Sequence, residues 1–155
     1  MYKKILLAID ESADSGRAIE KVINLQKKFH SEVVVFHSIS TQVSLPMNIP
    51  IVSVSSGDSH TMITSIKIEH ERKQAGINLL NNTKDIFEKN SVPVEVRLIE
   101  DEKPDKYIYN AINEEGFDLI VLGCEGNHSK LRRMLLETIP EKILNKAPAD
   151  VLIIR

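Results

Sequence analysis

Short runs of apolar residues recur along the whole chain, and they limit the possible folds more than any other feature of the sequence. Four runs are continuous, at residues 5–9, 33–36, 119–122 and 151–154. A strand that is apolar at every position is typically buried on both faces, as in a parallel sheet covered by helices. A fifth run, at residues 92–100, alternates apolar and charged positions over much of its length. Alternation predicts an edge strand with one partly exposed face.

Helical patterns separate these runs. After the first run, Ser12 or Asp14 can cap a helix whose apolar stripe consists of Ala18, Val22, Leu25 and Phe29. Residues 61–89 predict one long helix. Its middle, residues 69–74, is polar almost all round and is expected to extend beyond the sheet into solvent, and Gly76 should weaken it further.

Two further helices complete the pattern. The third helix is predicted to begin at Pro104, since proline is tolerated in the first turn of a helix. Thr138 and Glu141 have capping-box spacing and begin the fourth. Strands and helices therefore alternate from one end of the chain to the other. This order predicts an α/β fold in a single domain spanning residues 1–155, with a five-stranded parallel sheet of order 3-2-1-4-5 and helices on both faces.

Composition narrows the classes of function. The chain has 155 residues, a net charge of −2 and 42% hydrophobic residues, which suits one globular domain and gives no basic surface for a nucleic-acid partner. No apolar run approaches the roughly 20 residues that span a bilayer, so no membrane association is expected. The apolar start is too short for a signal peptide. The single cysteine, Cys124, excludes an internal disulfide and suits the cytoplasm.

The stretch from Asp118 to Thr138 contains the parts of a phosphate-binding loop. A buried strand leads into Gly123 and Gly126, and polar residues and a helix N-terminus follow. Backbone N–H groups at a helix N-terminus favour an anion. In a sheet of order 3-2-1-4-5, ligands bind at the carboxyl ends of strands 1 and 4, which Asp10 and Gly123 follow. A plain strand-to-helix turn is the alternative, since an isolated pair of glycines is a weak signal.

Several segments together resemble the universal stress protein family. They are Ile-Leu-Leu-Ala-Ile-Asp-Glu-Ser near the start, Val-Val-Phe-His-Ser in the second strand, Asp-Leu-Ile-Val-Leu-Gly-Cys-Glu-Gly near the end, and the tail from Glu141 to Arg155. The resemblance covers nearly the whole chain. It implies a single-domain α/β protein that is commonly dimeric, and one branch of the family binds ATP.

The resemblance also implies a site. An adenine nucleotide, ATP or AMP with Mg²⁺ as a candidate companion, is expected in the crevice between strands 1 and 4. The residues carried over to this chain or supplied by its loop are Ala8, Asp10, Ser38, Gly123, Gly126, His128, Ser129, Lys130, Thr138 and Ile139. The apolar terminal strand would otherwise be an exposed edge, which predicts a homodimer through that strand.

Two departures from the family pattern leave alternatives open. The loop after Gly126 is one residue longer, and Glu137 stands where the pattern has glycine. In one alternative the Glu137 side chain adds bulk and negative charge near a bound phosphate. In the others it points to solvent, pairs with Arg132 or Arg133, or replaces the phosphate at the helix N-terminus. The alternative function is therefore a signalling or interaction protein of the same fold that has lost nucleotide binding.

Catalysis is not expected beyond slow ATP hydrolysis, because no general base or nucleophile stands in a catalytic arrangement. A phosphoacceptor receiver domain is a third hypothesis, supported by Asp10, Glu11 and Asp101. Such a domain needs a lysine and a helix after the fifth strand, and here Arg155 follows that strand directly. The receiver hypothesis therefore ranks below the other two.

Overall fold

The computed structural model describes residues 1–39, 59–124 and 139–155, with side chains from residue 67 onward in the second range. The elements are β1 (Lys4–Ala8), α1 (Ala13–Phe29), β2 (Glu32–Ile39), α2 (Ser59–Lys89), β3 (Glu95–Glu100), α3 (Pro104–Glu115), β4 (Leu119–Gly123), α4 (Ile139–Lys146) and β5 (Asp150–Ile154). The sheet has the order β3-β2-β1-β4-β5 and every pair is parallel. The predicted fold class and strand order are confirmed.

Two hydrophobic clusters cover the two faces of the sheet. On one face α1 and α2 pack on the odd-numbered residues of β1, β2 and β4, with Val22, Leu80 and Phe87 among the buried contacts. On the other face α3 and α4 pack on the even-numbered residues, with Phe36, Ile108 and Ile143 buried. Both faces of the central strands are therefore dry, which explains why their sequences are apolar without interruption.

The cap of α1 settles a choice that the sequence left open. Ser12 is the N-cap, and its side chain accepts a hydrogen bond from the Ser15 backbone N–H at 3.4 Å. Asp14 lies inside the first turn and is 4% exposed. The buried stripe contains Ala18 and Val22 as predicted, while Leu25 and Phe29 of the predicted stripe are only half-buried.

The third strand begins later than its sequence pattern predicts. Ser91 has a φ of 58°, and the Val92 N–H donates to the Phe87 carbonyl at 3.0 Å while the Ser91 N–H donates to Glu88 at 2.9 Å. This pair of bonds is the Schellman motif that ends many helices. Val92 is 2% exposed. The apolar side chain of Val92 is therefore buried at the turn that ends α2, and β3 begins only at Glu95.

The long helix α2 projects past the sheet. Residues 67–75 are all exposed, which confirms that its polar middle faces solvent. Gly76 has a different role from the one the sequence suggested. It is buried where α2 crosses the sheet, and a Cβ there would lie 2.9 Å from Leu98 Cδ1 and 3.1 Å from His37 Cδ2. The glycine lets the helix approach β2 and β3 closely. Close packing therefore requires a glycine here, although glycine is a poor helix former.

A charged network joins β3 to the end of α3. The Arg97 guanidinium donates to both carboxylate oxygens of Glu115 at 2.6 and 2.9 Å and to the Tyr107 hydroxyl at 3.0 Å. Lys4 Nζ lies 3.5 Å from Glu115 as well. The hydrogen bonds from Arg97 lower the pKa of the Glu115 carboxyl, and the same bonds raise the pKa of Arg97. Charges therefore line the β3 edge of the sheet.

Replacing Glu115 with glutamine is expected to lower the free energy of unfolding at pH 7 by about 1 kcal/mol, because a bidentate, half-buried ion pair is lost. The folded-state pKa of Glu115 is lowered, so its contribution is present above the ordinary glutamate pKa and is lost as the pH falls through the lowered value. Urea unfolding at pH 7 and below pH 4 should show the difference shrinking with acid. Glu88→Gln, whose Lys84 partner is 3.8 Å away and exposed, is the matched control and should change stability by only a few tenths of a kcal/mol.

Candidate functional site

The chain reverses its direction of winding between β1 and β4. It passes from β1 to β2 and β3 on one side, and α3 then crosses to β4 and β5 on the other. The carboxyl ends of β1 and β4 are thus neighbours whose connections lead to opposite sides, which is where doubly wound sheets open a crevice. The described residues at this edge are those that follow or end β1, β2 and β4, together with the first turn of α1.

Asp10 is held by the first turn of α1. Its Oδ1 accepts hydrogen bonds from the Ser12 N–H at 3.0 Å, from the Ser12 hydroxyl, and from the Ser15 hydroxyl at 2.7 Å. The Asp10 N–H donates to Ser15 Oγ at 2.8 Å. Asp10 is half-buried, whereas Ser15 is 4% exposed. The turn between β1 and α1 therefore orients one carboxylate at the switch point through three donors.

Neighbouring bonds secure the backbone just before Asp10. The Ile9 N–H donates to the Phe36 carbonyl at 3.0 Å, which extends the pairing of β1 with β2. His37 Nδ1 lies 2.8 Å from the Ile9 carbonyl oxygen. Because a carbonyl only accepts, the His37 ring must carry its proton on Nδ1. His37, near the end of β2, therefore donates a hydrogen bond to the backbone that follows β1.

Gly123 ends β4 against the first turn of α1. A Cβ at this position would lie 3.0 Å from Asp14 Cβ and 3.6 Å from the Asp14 carbonyl carbon. Asp14 is itself 4% exposed and forms an ion pair with Arg17. The absence of a side chain at 123 is therefore explained by helix packing, a reason that the sequence pattern did not reveal.

The other predicted site residues in the described ranges lie at the same edge or close to it. Ser38 near the end of β2 donates its hydroxyl to the Glu102 carbonyl at 2.7 Å, which ties β2 to the loop before α3. Ala8 ends β1 opposite Phe36. Ile139 is the first residue of α4 and packs, half-buried, against the cluster under α3 and α4. Three adjacent strands thus each place a predicted site residue at or near their carboxyl end: Ser38 on β2, Ala8 on β1 and Gly123 on β4.

Half of the predicted site lies outside the described residues. This half comprises Gly126, His128, Ser129, Lys130 and Thr138, and Glu137 lies there too. The described residues 1–39, 59–124 and 139–155 contain no group of three or more His, Cys, Asp and Glu side chains arranged to hold a metal ion. Within these ranges the edge offers carboxylate, hydroxyl and imidazole groups.

Ser15 and Asp14 are two residues at this edge that sequence reasoning did not assign to the site. Both fall in the polar first turn of α1, where the pattern suggested only a cap. The signal that might have identified Ser15 is its spacing of five residues from Asp10, which lets a first-turn hydroxyl reach back to the strand end. Their burial could not be read from the sequence, because it depends on β4.

A groove of about 750 Å³ opens at the opposite, amino end of the sheet, and it is lined by Tyr2, Asn113, Phe117, Asp118, Pro148 and Asp150 among others. Polar groups that line this groove form hydrogen bonds within the protein. Asp118 accepts the Lys3 and Lys4 N–H groups at 2.7 and 3.0 Å. The Tyr2 hydroxyl donates to Asp150, and this bond raises the pKa of Tyr2. The topology and the predicted residues favour the carboxyl edge, so the groove is not the candidate site.

The fold and this polar edge define a doubly wound parallel α/β protein with its candidate binding site beside β1 and β4. In the parts of the chain that the structure describes, no helix has the length and apolarity to cross a membrane. Residues 1–155 match the sequence profile of the universal stress protein family, and the chain belongs to that family. The resemblance recognised in the sequence is thereby confirmed.

Two relatives extend the comparison along the whole chain. Universal stress protein YxiE of Bacillus subtilis is 30% identical over 159 positions and is covered completely, as is this chain. Universal stress protein MJ0531 of Methanocaldococcus jannaschii is 26% identical over 100% of this chain and 83% of its own length.

Solved structures share the fold. UspA of Lactobacillus plantarum has a TM-score of 0.76 at 16% identity, covering 99% of this chain and 98% of its own. A universal stress protein in complex with cAMP has a TM-score of 0.65 at 18% identity, covering 98% and 95%. One from Archaeoglobus fulgidus in complex with dAMP has a TM-score of 0.62 at 18% identity, covering 99% and 98%. At such identities the likeness demonstrates the architecture.

Proposed function

We propose that this protein is a single-domain cytoplasmic stress-response or regulatory protein that binds an adenine nucleotide in the crevice between β1 and β4. One observation carries the proposal: the Asp10 carboxylate is fixed by three hydrogen bonds at the switch point of the sheet, next to the strand that ends in Gly123. A preset carboxylate suits recognition of a ligand better than it suits a solvent-exposed turn.

The arrangement divides the ligand between two regions. Asp10 and the end of β2 around Ser38 supply acceptors and a hydroxyl for the nucleoside, whose ribose hydroxyls and exocyclic amine can donate. The segment from Gly123 to Thr138 would hold the phosphates, with Gly126, His128, Ser129 and Lys130 as candidate contacts. Ala8 and Ile139 would line the walls.

The relatives with bound ligand support the adenine class. Two structural neighbours are complexes, one with cAMP and one with dAMP. For this chain the proposed ligand is ATP or AMP, with Mg²⁺ accompanying the phosphates of ATP. The proposed role is binding, with ATP hydrolysis at most slow.

Thermal unfolding with added nucleotide tests this proposal. If AMP or ATP binds with a dissociation constant near 10 µM, 1 mM ligand should stabilise the folded protein by about 2.7 kcal/mol. That corresponds to a rise in Tm of roughly 5–10 °C for a chain of this size. Inorganic phosphate at the same concentration is the control and should shift Tm far less. The proposal is wrong if neither nucleotide shifts Tm and protein purified without added ligand releases no adenine nucleotide on heating.

Glu137 supports a second candidate, an interaction protein of the same fold that does not bind nucleotide. A carboxylate in place of glycine opposes close approach of a phosphate. The variant Glu137→Gly separates the two candidates. A gain of nucleotide binding in this variant, with none in the natural chain, would favour the second candidate, while equal binding in both would show that Glu137 leaves the site intact.

A further inference from the structure

We propose that Ser15 is a positioning residue for ligand binding, which holds the Asp10 carboxylate in the orientation that a nucleoside recognises. This inference rests on the proposed function and adds to it a residue outside the predicted site. Ser15 lies in the first turn of α1, its side chain is turned back toward the end of β1, and it is 4% exposed.

Ser15 bonds to Asp10 twice. Its Oγ accepts the Asp10 N–H at 2.8 Å and donates to Asp10 Oδ1 at 2.7 Å. The hydroxyl therefore restrains both the backbone and the side chain of one residue, and the carboxylate rotamer is fixed relative to the strand. Ser12 adds two donors to the same oxygen, but it is half-buried and belongs to the helix cap. Ser15 is the buried member of the pair.

The backbone on the other side of Asp10 is equally restrained. The Ile9 N–H donates to the Phe36 carbonyl of β2, and the Ile9 carbonyl oxygen accepts a hydrogen bond from His37 Nδ1, 2.8 Å away. Gly76 lets α2 pack against that imidazole ring, with a Cβ position 3.1 Å from His37 Cδ2. Asp10 is thus held from the helix through Ser15 and from the sheet through Ile9. The helix side acts directly on the carboxylate, through the Ser12 and Ser15 hydroxyls.

A preset carboxylate selects for ligands that donate hydrogen bonds. An ionised carboxylate accepts and cannot donate, so its partner on a nucleotide must be a ribose hydroxyl or an amino group. Fixing the rotamer in advance removes the ordering cost from the binding step. Removal of the Ser15 hydroxyl should therefore weaken nucleotide binding without changing any group that touches the ligand.

The test uses Ser15→Ala with Ser31→Ala as a matched control. Ser31 is 3% exposed, and its hydroxyl donates one hydrogen bond of 2.7 Å to the Tyr2 carbonyl at the opposite end of the sheet. Both variants lose a buried serine hydroxyl, and both should lose stability. Ser15→Ala should also raise the dissociation constant for AMP about tenfold, whereas Ser31→Ala should leave it within twofold.

A second measurement needs no nucleotide. Three-bond NMR couplings of Asp10 should show one χ1 rotamer in the natural protein and in Ser31→Ala, and averaging between rotamers in Ser15→Ala. Ser15→Thr retains the hydroxyl and should keep the single rotamer even if Ser15→Ala folds poorly.

The outcomes separate this inference from the proposed function. Averaged Asp10 couplings in the natural protein, or Ser15→Ala binding AMP as tightly as Ser31→Ala does, would overturn the positioning role. A single Asp10 rotamer that depends on Ser15, in a protein that binds neither AMP nor ATP, would instead defeat the nucleotide proposal and with it any role of Ser15 in binding.

Discussion

Replacing Gly123 with alanine is expected to destabilise the folded protein by about 1–3 kcal/mol, the usual range for overpacking a well-packed site. The new Cβ would lie 3.0 Å from Asp14 Cβ, closer than carbon atoms normally approach. Asp14 is buried and paired with Arg17 in the first turn of α1, so the strain cannot be relieved by moving an exposed side chain. Either β4 or α1 has to shift.

Gly16→Ala is the matched control for this substitution. Gly16 lies in the same helix, is exposed, and has no atom within 4 Å of its Cβ position. Alanine there should stabilise the protein by roughly 0.5–1 kcal/mol, because glycine is a poor helix former. Urea unfolding of the two variants should therefore give changes of opposite sign. Equal effects would show that α1 does not pack closely on Gly123.

The Gly123 variant also bears on the site. The same strand end begins the proposed phosphate-binding segment, so a displaced β4 should weaken AMP binding as well as stability. Gly16→Ala should leave AMP affinity unchanged. If Gly123→Ala lowers stability and leaves affinity intact, glycine at 123 serves packing alone.

The sequence predicts a homodimer through β5, and Ile153→Lys is expected to convert that predicted dimer into a monomer. Among residues 1–39, 59–124 and 139–155 no strand pairs with the outer edge of β5, whose side chains from Val151 to Ile154 are apolar. The Asp150 N–H bonds to Asp118 and the Ile154 carbonyl accepts from Cys124, so these residues face β4. Because successive residues point in opposite directions, Val151 and Ile153 direct their N–H and C=O groups outward. An apolar edge of this kind favours pairing with a second copy.

The opposite edge of the sheet explains why β5 is the expected interface. On β3, Glu95 and Arg97 are charged and are tied to each other and to α3. All four residues from Val151 to Ile154 are apolar and partly exposed. Lysine at an edge position opposes strand pairing, since its charge would lose water when a partner strand packs beside it.

Ile99→Lys serves as the control, because it makes the same kind of change at a partly buried position on the β3 edge. Light scattering at micromolar concentration should report a monomer for Ile153→Lys and an unchanged dimer for Ile99→Lys. A monomer in the natural protein, or a dimer that survives Ile153→Lys and dissociates with Ile99→Lys, would contradict pairing through β5.

The architecture could be predicted from the amino-acid sequence alone. The uninterrupted apolar run 119–122 indicated a strand buried on both faces, and the alternation of such runs with helical stripes leaves few topologies other than the observed parallel sheet. The switch point between β1 and β4 follows from that strand order. Family motifs then located Asp10, Ser38 and Gly123 at adjacent strand ends, as the structure has them.

The contacts of the small and polar residues at that edge became known only from the folded structure. In the sequence Gly76 appeared to be a weak point in a helix. In the structure it lies where α2 packs closely against His37. Gly123 followed a ligand-binding pattern, and its close neighbour is Asp14. Ser15 could not be distinguished from other first-turn serines until its bonds to Asp10 were known. Apolar periodicity reports which face of an element is buried, whereas contacts between elements distant in sequence depend on how closely they pack.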